Sequence, residues 1–124
     1  MKAMLLAVTV AAVAIAFAAQ AQPKPRQACF AVNQLGQTAA PDDSTLNARV
    51  GKDVWQIKMA VPCHNLSFNA SGYLLNLHSG ITNICGPLDL DISVLGIGGG
   101  TCFTQSVRKL SPAEVAALPK KAIP

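Results

Sequence analysis

A mainly β fold is predicted by three features of this sequence: a small antiparallel barrel or curled meander with a short C-terminal helix, stapled by disulfides. Short segments alternate apolar and polar residues at period two. Glycine and proline punctuate them at short intervals, and four cysteines follow an apolar leader. A two-sheet β-sandwich is the alternative packing of the same strands.

The leader comes first. Lys2 supplies a positive start, "AMLLAVTVAAVAIAFAA" an apolar stretch, and Ala19-Gln20-Ala21 the small residues that a signal peptidase cleaves behind. A membrane anchor is the rival reading. The stretch is alanine-rich, falls short of the roughly 20 residues that span a bilayer, and ends in a cleavage site. Residues 1–21 are therefore read as a signal peptide, with no membrane span left after its removal. Cys29 follows "PRQA", which lacks the aliphatic and small residues that lipid attachment requires. The expected location is periplasmic or secreted. Cleavage leaves residues 22–124, enough for one modest core.

Loss of Lys2 takes the formal charge from +4 to +3, and Lys24, Arg26, Lys120 and Lys121 lie in the flanks. That mild excess suits solubility. No aromatic residues interleave the basic ones to stack bases, so nucleic acid is not an expected partner.

Four cysteines, Cys29, Cys63, Cys85 and Cys102, in a small exported domain read as two disulfides. Three pairings are possible. The nested one, Cys29–Cys102 with Cys63–Cys85, is favoured because "ACF" and "TCF" begin the first and last strands, which meet if the sheet closes.

The elements follow in order. Residues 22–28 form a proline-rich, charged arm, and "ACFAV" a first short strand opening a single domain over residues 29–118. "NQLGQTAAPDD" reads as a loop from its glycine, proline and paired aspartates. In "STLNARVGKDVWQIKM", Gly51-Lys52 sits at the tip of a two-residue hairpin of type II′. That register sets Ala48 against Trp55 and Leu46 against Ile57 on one side. Arg49/Val54, Asn47/Gln56 and Thr45/Lys58 fall on the other. Trp55, the single tryptophan, is a core anchor. Further strands are "YLLNLHS", "ITNIC", "LDLDISVLGI" and "CFTQSVRKL", with "GGGT" as a flexible loop. Ser111 caps a closing helix, Pro112 takes its first position, Glu114 completes the capping box and Pro119 stops it. Residues 119–124 are left as a basic tail.

Cys29-Phe30, "DDSTLNARVG", "CHNL", "ICGPLDLDISV" and "CFTQSVRKLSPAEVAAL" form an ordered series. It resembles a family of small exported proteobacterial proteins of unassigned function, over Cys29 to Leu118. The resemblance implies a periplasmic setting and carries over no catalytic residue.

Several residue groups are of the types that carry chemistry. Cys63–His64 could be a thiol beside its base, but neighbours in an extended segment point to opposite faces, and a free thiol leaves three cysteines to pair. A zinc site from Cys63, His64, His78 and Cys85 lacks the usual close ligand spacing. Asp89 and Asp91 could serve as paired carboxylates or calcium ligands, yet alternation reads them as the polar face of a strand, and His78 beside Asn76 likewise. Asp42-Asp43 reads as a turn. "GIGGGT" lacks the lysine of a phosphate loop, and no "G-x-S-x-G" elbow is present. Asn65 and Asn69 fit the glycan acceptor pattern, which matters only in a eukaryotic secretory pathway. No catalytic residue, metal or cofactor is assigned.

Three functions follow in order of expectation. The first is a non-enzymatic binding or interaction module whose partner is an envelope protein or component. The second is an inhibitor of a hydrolase such as lysozyme or a protease, presenting a rigid loop around "GIGGG". The third is a small enzyme using Asp89, Asp91 or His64.

Overall fold

A computed structural model describes residues 28–68, 72–78 and 80–124. The leader, the arm as far as Gln27 and the Asn69 acceptor lie outside the described residues. Among the described residues, eight strands, β1 (Phe30–Ala31), β2 (Leu35–Asp42), β3 (Thr45–Val50), β4 (Asp53–Met59), β5 (Tyr73–Leu77), β6 (Asn83–Ile84), β7 (Leu90–Val94) and β8 (Thr101–Lys109), precede one α-helix, α1 (Pro112–Ala116). Six of them form a curled antiparallel half-barrel in the order β2-β3-β4-β8-β7-β5, and β1 pairs with β6 beside it.

The β3–β4 hairpin has the register its sequence predicts, with Ala48 against Trp55, Leu46 against Ile57 and Asn47 against Gln56. Gly51 carries the turn at φ 59°, where a side chain is strained. Leu46, Ala48, Trp55 and Ile57 face the concave side, and Trp55 is only 3 % exposed. Its ring lies 4.8 Å from that of Phe30, so the small β1–β6 pair covers one part of the core. Leu90, Ile92 and Val94 of β7 complete that inner layer, at the period of two expected of them.

The convex side of the hairpin is covered as well. Asn47 is fully buried, and its amide donates to the Ala122 carbonyl at 2.8 Å. Arg49 donates twice to the Pro124 main-chain oxygen, at 3.1 and 3.0 Å. Beside them Gln56 donates to Asn47, and Arg108 to Gln56 and to Glu114 of α1. A polar chain thus crosses β8, β4 and β3 from helix to tail, and the basic tail at 119–124 packs on the sheet. Two main-chain carbonyls hold it, which no side-chain pattern advertises.

Two expectations are corrected. The segment read as a loop before the hairpin is largely β2, an edge strand. It tolerates Gly36 and Pro41 because an edge needs fewer ladder bonds, and its register slips twice against β3. The disulfides join Cys29 to Cys85 and Cys63 to Cys102, with Cα separations of 4.2 and 5.6 Å, instead of the nested pairing. The reason is topological. β8 runs inside the sheet between β4 and β7, so it never meets β1. Phe30 pairs with Ile84 instead, which sets Cys29 opposite Cys85. Two disulfides fit an oxidising compartment. Among the described residues, no helix is long and apolar enough to cross a membrane.

The closing helix forms as its sequence predicts. Ser111 Oγ accepts from the Glu114 amide at 3.2 Å, and Glu114 accepts from the Ser111 amide at 2.8 Å. These bonds, the Ser111 amide first and Arg108 next, hold the Glu114 carboxyl below its ordinary value.

Candidate functional site

The segment "AVPCHNLSF" leaves the end of β4 and folds into a tight turn, because its apolar and polar residues need opposite surroundings. The Leu66 amide donates to the Cys63 carbonyl at 3.0 Å, and Asn65 takes φ 63°, a left-handed conformation that asparagine tolerates. Cys63 and Leu66 are thereby buried in the core, while His64 points outward. Asp43, in the β2–β3 turn, fastens this loop from below. Its carbonyl accepts from the Cys63 amide, and its carboxylate accepts from the Ser67 hydroxyl at 2.6 Å and amide at 2.8 Å. Those Ser67 bonds hold the Asp43 carboxyl below its ordinary value, with a lesser contribution from the nearby charge of His64.

Opposite lies the glycine-rich loop between β7 and β8. Val94 donates to the Gly100 carbonyl at 2.9 Å and Gly99 to the Gly96 carbonyl at 3.1 Å. A Cβ on Gly99 would lie 2.1 Å from the Val94 oxygen, so only glycine fits there. The Cys63–Cys102 disulfide ties the two loops together at their base. Between them runs a cleft of about 300 Å³, walled by Val61, Pro62, His64, Gly98–Gly100 and Phe103.

Its rim is apolar. Val61 is 63 % and Phe103 64 % exposed, and Ile97 at the tip of the glycine loop is fully exposed. Phe103 points outward because its neighbours on β8, Cys102 and Thr104, point in. The Phe103 carbonyl also accepts from the Ala60 amide at 2.9 Å, which draws Val61 to its side.

The other residues singled out from sequence are scattered. Cys63 and Cys85 belong to different disulfides, so neither offers a thiolate to His64, to a substrate or to a metal. Asp89 does not share a strand face with Asp91. It sits in the turn before β7, where its carboxylate accepts from the Cys85 and Gly86 amides at 2.7 and 2.9 Å. Asp91 stands on the outer face and meets His78 at 3.0 Å. Ser93 is two residues along, but its hydroxyl meets Asn76 and Thr101. Among the described residues, the His78–Asp91 pair thus has no nucleophile within its own bonding, and His78 is 49 % exposed. Asp42 accepts from the Ser44 amide within its turn.

Sequence reasoning marked Cys63, His64 and the glycine loop but missed Val61 and Phe103. Their exposure depends on a register shift between Lys58 and Met59, where β4 slips by one residue against β8. Comparison with known families, curated proteins and solved structures gives no match for this chain.

Proposed function

We propose that this chain is an exported, non-enzymatic binding module that takes a protein or other component of the cell envelope at the cleft between its two disulfide-linked loops. The observation that carries the reading is the exposed apolar rim of Val61 and Phe103 over a cleft whose two loops are joined by a disulfide. Water-exposed apolar groups clustered around a concave site are the surface a partner buries. Order in the free protein also lowers the entropy cost of binding. The apolar leader, and the resemblance to small exported proteobacterial proteins, support a periplasmic or secreted setting.

The test is a comparison of the mature protein with the double variant V61D/F103D, both immobilised against envelope extract at matched thermal stability. A component retained by the native surface and lost by at least tenfold with the variant supports the reading. Equal retention by both overturns it.

A second reading, inhibition of a hydrolase, is favoured by Ile97, which stands fully exposed on a loop pinned at its base. Inhibition of a lysozyme or protease that is lost in I97D supports it, and inertness against a broad panel removes it.

A further inference from the structure

We propose that the free edge of β5 pairs with β5 of a second copy of this chain, joining two half-barrels into one continuous sheet about a two-fold axis. The inference is independent of the cleft reading.

The backbone sets up the contact. The Gly72 carbonyl accepts from the Leu95 amide at 2.9 Å, and the His78 amide donates to the Asp89 carbonyl at 3.1 Å. With Tyr73 opposite Val94 and Leu77 opposite Leu90, Leu74 and Asn76 direct their main-chain groups at β7. The N–H and C=O groups of Tyr73, Leu75 and Leu77 therefore point to the other side. Among the described residues, β7 is the only strand that pairs with β5. The ladder runs without a register shift, and the strand holds no proline and no acidic or basic residue. Natural edges are usually blunted by such features.

The side chains choose the occupant. An antiparallel pair centred on Leu75 sets Tyr73 against Leu77 of the second copy on the inner face, and Leu74 against Asn76 on the outer face. Tyr73 and Leu75 already pack against the core, so the inner apolar layer continues across the axis. No like charges meet. Leu77 also lines a groove of about 530 Å³ shared with Ala31, Val32 and Ile81. Tyr73 of the second copy, directly beside Leu77, covers its mouth. A two-fold contact must be self-complementary, and this five-residue register is.

The interface is small, so the expected dissociation constant is on the order of 0.1 mM. Sedimentation of the mature protein from about 10 µM to about 1 mM brackets that value. Two double variants test the register. L74K/N76K places lysine against lysine twice across the axis and weakens association at least about tenfold. L74K/N76E changes the same positions but places lysine against glutamate twice, and restores association. Residue 76 lies opposite Asp91 of β7, so thermal melts of both variants control for folding. A native protein that stays monomeric throughout overturns the proposal, including when it instead captures an extended apolar peptide. Equal association of all three proteins overturns it too, by placing the contact elsewhere.

Discussion

The two edges of the six-stranded sheet are built in opposite ways. At one end, β2 contains Gly36 and Pro41, slips register twice against β3, and is followed by a turn with two aspartates. The C-terminal segment packs against the same end, and Asn47 and Arg49 of the neighbouring β3 hold its carbonyls. At the other end, β5 is short, regular and uncharged, with Leu74 and Leu77 exposed. Neither edge strand holds a fully buried residue, so the difference lies in backbone regularity and in what packs against each edge. Irregular backbone and a strap close the β2 end, while among the described residues no second strand takes the outward pairing groups of β5. The difference teaches that one edge of the sheet is blunted by irregular backbone and the other, among the described residues, is not.

The largest expected effect comes from cutting the link between the two ends. The Cys63–Cys102 disulfide joins the loop after β4 to the start of β8, which also carries β7 and β5. Replacing both cysteines by alanine lowers stability by about 2–5 kcal/mol. Urea unfolding measures the loss, and amide exchange locates it. Amides of β7 and β5 lose protection first, and those of β3 and β4 last. Equal loss along the whole sheet contradicts the asymmetry.

Next in size is the strap. Asn47 is fully buried, and its amide is satisfied by the Ala122 carbonyl. Removing Lys120–Pro124 leaves that amide short of a partner, at a cost of about 1–3 kcal/mol. N47A forfeits the same bond from the other side, so the two changes together cost less than their sum. Denaturant unfolding of the native protein, the two single changes and the combined change gives the cycle. Full additivity means that the tail and Asn47 stabilise the β2 end independently.

The same contrast explains what was legible in the sequence. The β3–β4 hairpin could be read residue by residue, because Gly51 fixes the turn and Leu46 then meets Ile57 and Ala48 meets Trp55. The mainly β class, the strands at period two and the Ser111 cap were visible for similarly local reasons. β2 was not, because an irregular edge strand carries the glycine and proline of a loop. Tail docking was hidden because it uses main-chain oxygens. The disulfide pairing depended on strand order, and placing β8 inside the sheet is a property of the whole chain. At the candidate site, the cysteine, the histidine and the glycines stood out by type. Val61 and Phe103 gained their meaning only from the slip at Met59.

The smallest effect belongs to Asp43, which ties the β2 end to the cleft by hydrogen bonds alone. Its carboxyl is held below the ordinary value of 3.8 by the Ser67 hydroxyl and amide, which bond the ionised form. A carboxyl whose value is lowered by folding stabilises the folded state fully above its unfolded value. That contribution is lost as pH falls through the lower, folded value. D43N removes the charge at every pH. At neutral pH the Ser67 amide is therefore better protected from exchange in the native protein than in D43N. The gap closes as the solution is acidified below 3.8. Charge on His64 is a lesser contributor, so H64Q narrows the gap only slightly. The disulfide at the other side of the same loop does not titrate, and its hold is unchanged over this range. Acid thus loosens the loop from the β2 end while leaving it fixed to β8. A gap that persists unchanged well below 3.8 means that the Asp43 carboxylate is not what holds Ser67.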